Sequence, residues 1–278
     1  QTYILVPRSE QLPSPLPKGT VVRTPLHNVL VYSSVHANLI KELGMVSSIK
    51  SVCDARYFKI PEIVAGLKTG AITDCGASMS PSIEKVASTT PEAILLSPFQ
   101  NSTYGALANT GTPIIELADY MEQTPLGRAE WMKFIGLLYG REATADSLFR
   151  EVENHYNVLK KLVEKVSERP EVLSETMTSG VWYVPGGASY KAALFRDAGA
   201  DYPWADNTDT GSLALDFAQV LDKAHDADYW LVTTYGQKLD KKGMLAIYPH
   251  NDEFPAFNNH GVYYVDSSTH PIFEDTPF

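Results

Sequence analysis

Three kinds of side chain in this sequence could do chemistry at a surface: aromatics with a polar tip, arginines, and polar residues that follow short apolar runs. The chain carries 15 Tyr, 10 Phe and 4 Trp. Tyr and Trp join a flat apolar body to one hydrogen-bonding atom, so they suit a bulky ligand as well as a core. In the first half, apolar runs end in Tyr32, Ser33 and Ser34, in Arg56 and Tyr57, in Ser78 and Met79, in Phe99, Gln100 and Asn101, and in Tyr120 and Glu122. In the second half the corresponding residues are Pro185, Gly186, Gly187 and Tyr190, then Trp204, then Tyr235. Open α/β sheets bind ligands outside the carboxyl ends of their strands, which makes these residues the candidate ligand-binding set. Each aromatic has ordinary core packing as its alternative. The Gly186–Gly187 pair reads either as a close backbone approach to ligand or as a plain turn.

Motifs for covalent or metal chemistry are missing from the sequence. It has no G-x-S-x-G elbow, no P-loop and no G-x-G-x-x-G after a strand. The seven His are scattered without an H-E-x-x-H pair, so the sequence offers no metal site. His36 is the one to follow, because it opens a helix behind a strand end. Cys53 and Cys75, the only cysteines, also flank strand ends. Neighbouring strands would let them form one bridge in an oxidising compartment, and two buried free thiols is the alternative.

The elements that must position these residues follow from patterning. The length of 278 residues predicts about two folding units, each large enough for its own core. Apolar residues make up 44% and charged residues 20%, a globular composition. The formal net charge of −10 excludes nucleic acid as a partner. No apolar run has the length of a membrane span. Residues 1–20 are Pro-rich and predict an extended arm. The start at Gln1 without a signal peptide reads as a processed or trimmed chain. Strands are expected at 28–34, 49–54, 93–99 and 113–117, with helices at 35–43, 61–70 and 80–88 between them. Pro61 and Gly70 bracket the second helix, and Ser80 with Pro81 reads as the start of the third. Continuous apolar strands alternating with helices indicate parallel β-α-β units covered on both faces. Two helices follow at 126–140 and about 142–168, and Pro170 stops the second. Strand–helix alternation then resumes, with strands at 179–187, 229–236 and 261–266 and helices at 189–198 and about 214–225. After the last strand no terminal helix covers the second sheet, so either a loop does so or the natural chain continues. The fold class is therefore α/β: two Rossmann-like lobes with mainly parallel sheets, joined by a long interlobe helix. The expected divisions are an arm at 1–20, a first lobe at 21–123, a helical segment at 124–170 and a second lobe at 171–278.

This combination resembles the substrate-binding proteins of metal-chelate ABC importers, the receptors for iron–siderophores, haem and cobalamin. The resemblance rests on NVLVYSSVHANLIKELGMVSSIKSVCDARYF (28–58), PSIEKVASTTPEAILLSPF (81–99) and DYMEQTPLGRAEWMKFIGLLYGREATADSLF (119–149). VWYVPGG and DADYW are similar to the second lobe of the Bacteroides-like branch, and the likeness covers about residues 20–270. It implies a periplasmic, lipid-anchored, monomeric receptor that holds ligand between its lobes with little closure. It also implies delivery to a membrane permease, with no enzymatic activity and no resident cofactor. The family pairs one Glu on each lobe with permease arginines. Glu84 matches the first, while Ala218 stands where the second is expected and Asp216 lies half a turn away. Arginine near the candidate residues is limited to Arg56 and Arg128, and Arg196 is the only one after residue 170. A polyanionic catecholate complex asks for clustered arginine, so the expected ligand is a weakly charged chelate: a hydroxamate-type iron complex, haem or a corrinoid. Haem would take Tyr32, His36 or Tyr57 as its axial ligand. A reading of another class is a metal-dependent enzyme on the same scaffold, built on His36, Asp54 and Glu122.

Overall fold

The computed structural model describes residues 1–98, 103–236 and 239–269. They divide into two units. Unit 1 holds Gln1–Asp119 and Ala129–Glu151, and unit 2 holds Tyr120–Arg128 and, among the described residues, 152–269.

Unit 1 opens with strands β1 (Tyr3–Pro7) and β2 (Thr20–Thr24), which pair in parallel. The predicted arm is thus one strand of a small sheet. The chain then alternates β3 (Val29–Val31), α1 (Ser34–Glu42), β4 (Ile49–Val52), α2 (Pro61–Thr69), β5 (Thr73–Asp74), α3 (Ile83–Thr89), β6 (Ala93–Leu96) and β7 (Ile114–Glu116). The five strands β3–β7 form one parallel sheet in the order β5-β4-β3-β6-β7. Val29, Leu30, Val31, Ile94 and Leu95 are fully buried, which is why these runs are apolar on consecutive residues. Pro61 opens α2, and Gly70 closes it at φ +77, a conformation that favours glycine. The third helix starts later than expected. Its N-cap is Ser82 and not Ser80, because the Ser82 N–H is still held by the Cys75 carbonyl at 2.8 Å while its hydroxyl caps Lys85.

Helices α4 (Pro125–Tyr139) and α5 (Glu142–Val163) come next. The division between the units falls inside both. α5 ends five residues short of the expected 168.

Unit 2 contains β8 (Val172–Ser174), β9 (Met177–Thr178), β10 (Val181–Pro185), α6 (Tyr190–Asp197), β11 (Ser212–Leu215), α7 (Phe217–Ala224), β12 (Tyr229–Thr234), α8 (Lys241–Ile247), α9 (Pro255–Asn258) and β13 (Val262–Asp266). β13 and β12 pair in parallel, and β8, a strand not expected from the sequence, joins them in parallel on the other side of β12. β10 instead pairs antiparallel with β9 and β11. The cause lies at Ser179 and Gly180, both at positive φ (51° and 84°), which is the geometry of a tight two-residue hairpin. Residues 212–215 are a strand and not the start of a helix. Leu213 and Leu215 turn toward the core at every second residue, and Asp216 then caps α7.

The core of unit 2 absorbs many of the aromatics. Trp182 and Trp230 are fully buried and stacked at 5.4 Å, with Phe254 against both. Their indole N–H groups donate to the carbonyls of Ser174 (3.0 Å) and Glu175 (2.7 Å), so neither polar tip is left unpaired. One face of the β13-β12-β8 sheet is exposed. Tyr229, Leu231, Tyr263 and Val265 are exposed there, and the two Tyr rings lie 5.8 Å apart.

Candidate functional site

At the carboxyl end of unit 1's sheet, three strands deliver residues side by side. Ser33 spends its hydroxyl on the N-cap of α1, accepting from the Val35 N–H at 3.2 Å. Tyr32 is buried against Cys53 and Cys75, and burial raises its phenol well above the ordinary value. Its hydroxyl has no conventional hydrogen-bond partner among the described residues. His36 is 1% exposed, and its Nε2 lies 2.8 Å from Oδ1 of Asp119, itself buried. Its ring therefore belongs to a buried polar pair, not to an open ligand surface. Cys53 and Cys75 are free, buried thiols.

Beyond β4 the chain turns through Asp54 at φ 52, and the Asp54 carboxylate accepts the Ser78 N–H at 3.3 Å. That bond ties the loop carrying Arg56 and Tyr57 to the loop carrying Met79. Tyr57 is 41% exposed and Met79 is 78% exposed. The Arg56 guanidinium lies 4.6 Å from the centre of the Tyr57 ring, and its Nη2 donates to the Tyr57 hydroxyl at 2.7 Å. Two tied loops thus present a cation, a phenol and a polarisable thioether to solvent. Phe99, Gln100 and Asn101 lie outside the described residues.

In unit 2 the guanidinium of Arg128, 5% exposed, stands 4.7 Å from the centre of the Tyr190 ring. Tyr190 is the first residue of α6, which Ser189 caps. Glu122 is half-buried near the start of α4, and Tyr120 and Tyr235 are exposed. Trp204 is a core residue, 6% exposed and packed 5.6 Å from the Tyr202 ring. The space a side chain would need at Gly186 and Gly187 is filled by protein. A Cβ at Gly186 would meet the Asp209 carbonyl oxygen at 2.2 Å, and one at Gly187 would meet those of Trp204 and Asn207 at 2.4 Å. The pair exists to admit the 204–211 loop, the turn-like alternative.

Of the two docking candidates, Glu84 is exposed in the first turn of α3. Asp216 is exposed, but its carboxylate caps α7, accepting the Gln219 N–H at 2.8 Å in a reciprocal capping box. Among the described residues no three His, Cys, Asp or Glu side chains are grouped to hold a metal ion, and no helix is long and apolar enough to cross a membrane.

Comparison with known proteins gives this arrangement its context. Residues 46–269 match the family described as periplasmic binding protein. This chain belongs to the periplasmic binding protein family. An uncharacterized lipoprotein of Methanocaldococcus jannaschii is 30% identical over 224 residues, 76% of this chain and 53% of the relative. The chain thus spans about half the length of that relative. Two solved structures share the fold of this periplasmic binding protein. The periplasmic heme binding protein HutB of Vibrio cholerae has a TM-score of 0.68 at 17% identity, covering 87% of this chain and 91% of its own. An ABC-type Fe3+-hydroxamate transport protein of Saccharomonospora viridis has a TM-score of 0.68 at 18% identity, covering 91% and 92%.

Proposed function

We propose that this periplasmic binding protein captures a weakly charged metal chelate, of the ferric hydroxamate type, and hands it to the permease of an ABC importer. The observation that carries the reading is the exposed Arg56–Tyr57–Met79 surface at the carboxyl end of unit 1's sheet. The guanidinium suits the oxygen-rich rim of a chelate, and the phenol and thioether suit its hydrocarbon skeleton. On unit 2 Arg128 also lies over a tyrosine ring, that of Tyr190, but it is buried and adds no exposed cation. Solved relatives of the same fold are named for heme and for Fe3+-hydroxamate, which supports the ligand class. The name of the 30%-identical lipoprotein supports an exported, lipid-anchored setting. In this reading the chain works as a monomer, turns nothing over and needs no cofactor.

Haem is the second reading. Tyr57 is the one exposed group among Tyr32, His36 and Tyr57, and the hydrogen bond that Arg56 donates to its hydroxyl would orient that oxygen as an axial ligand. Glu84 is the proposed contact with a permease arginine. Asp216 is less suited, since α7 already uses its carboxylate.

Titrating the protein with ferric hydroxamate, ferric catecholate, haem and cobalamin while following Trp and Tyr fluorescence tests the proposal. Saturable quenching by the hydroxamate complex is expected, and preferential quenching by haem selects the second reading. No response to any chelate, or metal-dependent turnover of a substrate, refutes the receptor assignment.

A further inference from the structure

The two cysteines have no part in the binding surface, yet the sheet sets them next to each other. The β4–β5 ladder ends on the pair Val52 and Asp74, and Cys53 and Cys75 are the residues that follow these two strand ends. The Cys75 N–H donates to the Val52 carbonyl at 2.8 Å, the closing bond of that ladder, so Cys53 and Cys75 stand directly beyond its last pair. Both thiols lie in one apolar cluster with Leu30, Val86 and Ile94, which puts them on the same face of the sheet. Neighbouring strands are about 4.8 Å apart, inside the Cα separation a disulfide accepts. The bond also needs the two Cβ atoms slightly closer than a ladder holds them. β5 can supply that shift, being a two-residue strand at the sheet edge. Its pairing is already irregular beyond Cys75, where the Asp54 N–H reaches Gly76.

We propose that Cys53 and Cys75 join in a disulfide when the chain folds in the presence of a disulfide oxidant, cross-linking the carboxyl ends of β4 and β5. One cysteine thiolate attacks the oxidant's S–S bond, forming a mixed disulfide and releasing one thiol. The second cysteine displaces the other half. Two cysteine S–H bonds and the oxidant's S–S bond are lost, and the new S–S bond and two oxidant thiols are formed. The bridge closes the segment 54–74, which carries Arg56, Tyr57 and α2, and so fixes the base of the proposed binding loop.

The bond forms during folding and not in the already folded reduced protein. Both side chains are fully buried in the native fold. Burial, with the neighbouring Cys75, pushes the Cys53 thiol up to about 12, and burial beside Asp74 raises Cys75 as well. A native dithiol of this kind holds little thiolate and admits no oxidant.

The test is oxidative refolding. Reduced, denatured chain is refolded in a glutathione redox buffer, then unfolded and alkylated, and its peptides are mapped by mass. The expected product is a monomer in which neither cysteine alkylates and one linked peptide joins them. Its denaturation midpoint should lie several degrees above that of the reduced protein, a difference that Cys53→Ser abolishes. Natively folded reduced chain in the same buffer should keep both thiols. Refolded monomer with native spectra and two alkylated cysteines overturns the proposal, as does equally fast oxidation of the folded chain. The reduced and oxidised forms of the unaltered chain suffice if the variant does not fold. The oxidising setting rests on the export proposed above, but the refolding result does not, so it stands or falls apart from ligand capture.

Discussion

Alanine at Gly186 separates a loop-packing glycine from a ligand-contacting one. The new methyl would stand 2.2 Å from the Asp209 carbonyl oxygen and 2.6 Å from that of Gly211, where Cβ atoms essentially never come within 3.0 Å. Both obstacles are backbone, so no side-chain rotation relieves them. Both carbonyls also accept hydrogen bonds across the same gap, from the Ala188 N–H at 3.1 Å and the Gly186 N–H at 2.7 Å. Moving the loop away stretches both bonds. Overpacking costs about 1–3 kcal/mol and each weakened bond up to about 1 kcal/mol, so Gly186→Ala should lose about 3 kcal/mol. At about 2–4 °C per kcal/mol for a unit of this size, the melting temperature should fall by about 6–12 °C. The near-ultraviolet circular dichroism of the stacked Trp182–Trp230 pair reports unit 2 selectively. Gly187→Ala meets three carbonyl oxygens and should behave likewise. A variant within about 0.5 kcal/mol of the parent would refute the crowding argument. Lost chelate affinity at unchanged stability would return the glycine to the ligand.

Other perturbations test other parts of the molecule. His36→Leu leaves the buried Asp119 carboxylate without its 2.8 Å partner and should cost about 3 kcal/mol in urea denaturation, with chelate affinity retained; lost affinity at full stability would make His36 a ligand group. Burial alone would raise Glu92, but the His27 N–H at 2.8 Å, the Arg8 guanidinium at 2.6 Å and the Asn28 N–H hold its carboxyl below the usual range. A depressed carboxyl stabilises the fold above its unfolded pKa, and that contribution disappears as pH falls through the folded value. Glu92→Gln should therefore lower stability at neutral pH and flatten its loss in acid; parallel stability–pH curves for parent and variant would contradict this. Glu84→Lys should impair uptake in cells while chelate affinity in vitro is unchanged, and an equal fall in both would place Glu84 in the binding surface.

Unit 1 was largely legible in the sequence because its strands are buried on both faces and its helices are punctuated. The unbroken apolar runs of β3 and β6 admit few other readings, and Pro61 and Gly70 mark α2 at both ends. β5 and β8 are not legible, because two or three residues are too few to make a pattern. The antiparallel part of unit 2 was less legible, since it depends on the positive φ of Ser179 and on the period-two burial of Leu213 and Leu215 beside a helix-like stretch. The site divided in the same way. Residue type marks Tyr57 and Trp204 equally as aromatic, but only the packing shows that Trp204 belongs to the core and Tyr57 to the surface. His36 kept its partner hidden, because Asp119 lies 83 residues along the chain.

Calorimetric titration of a ferric hydroxamate into the parent protein and Arg56→Ala tests the central claim most directly. Saturable binding of one chelate per chain is expected at micromolar or tighter dissociation constants, weakened about tenfold or more by the substitution, an effect of about 1.4 kcal/mol. Absence of saturable binding to the parent, or identical binding by Arg56→Ala, would contradict it.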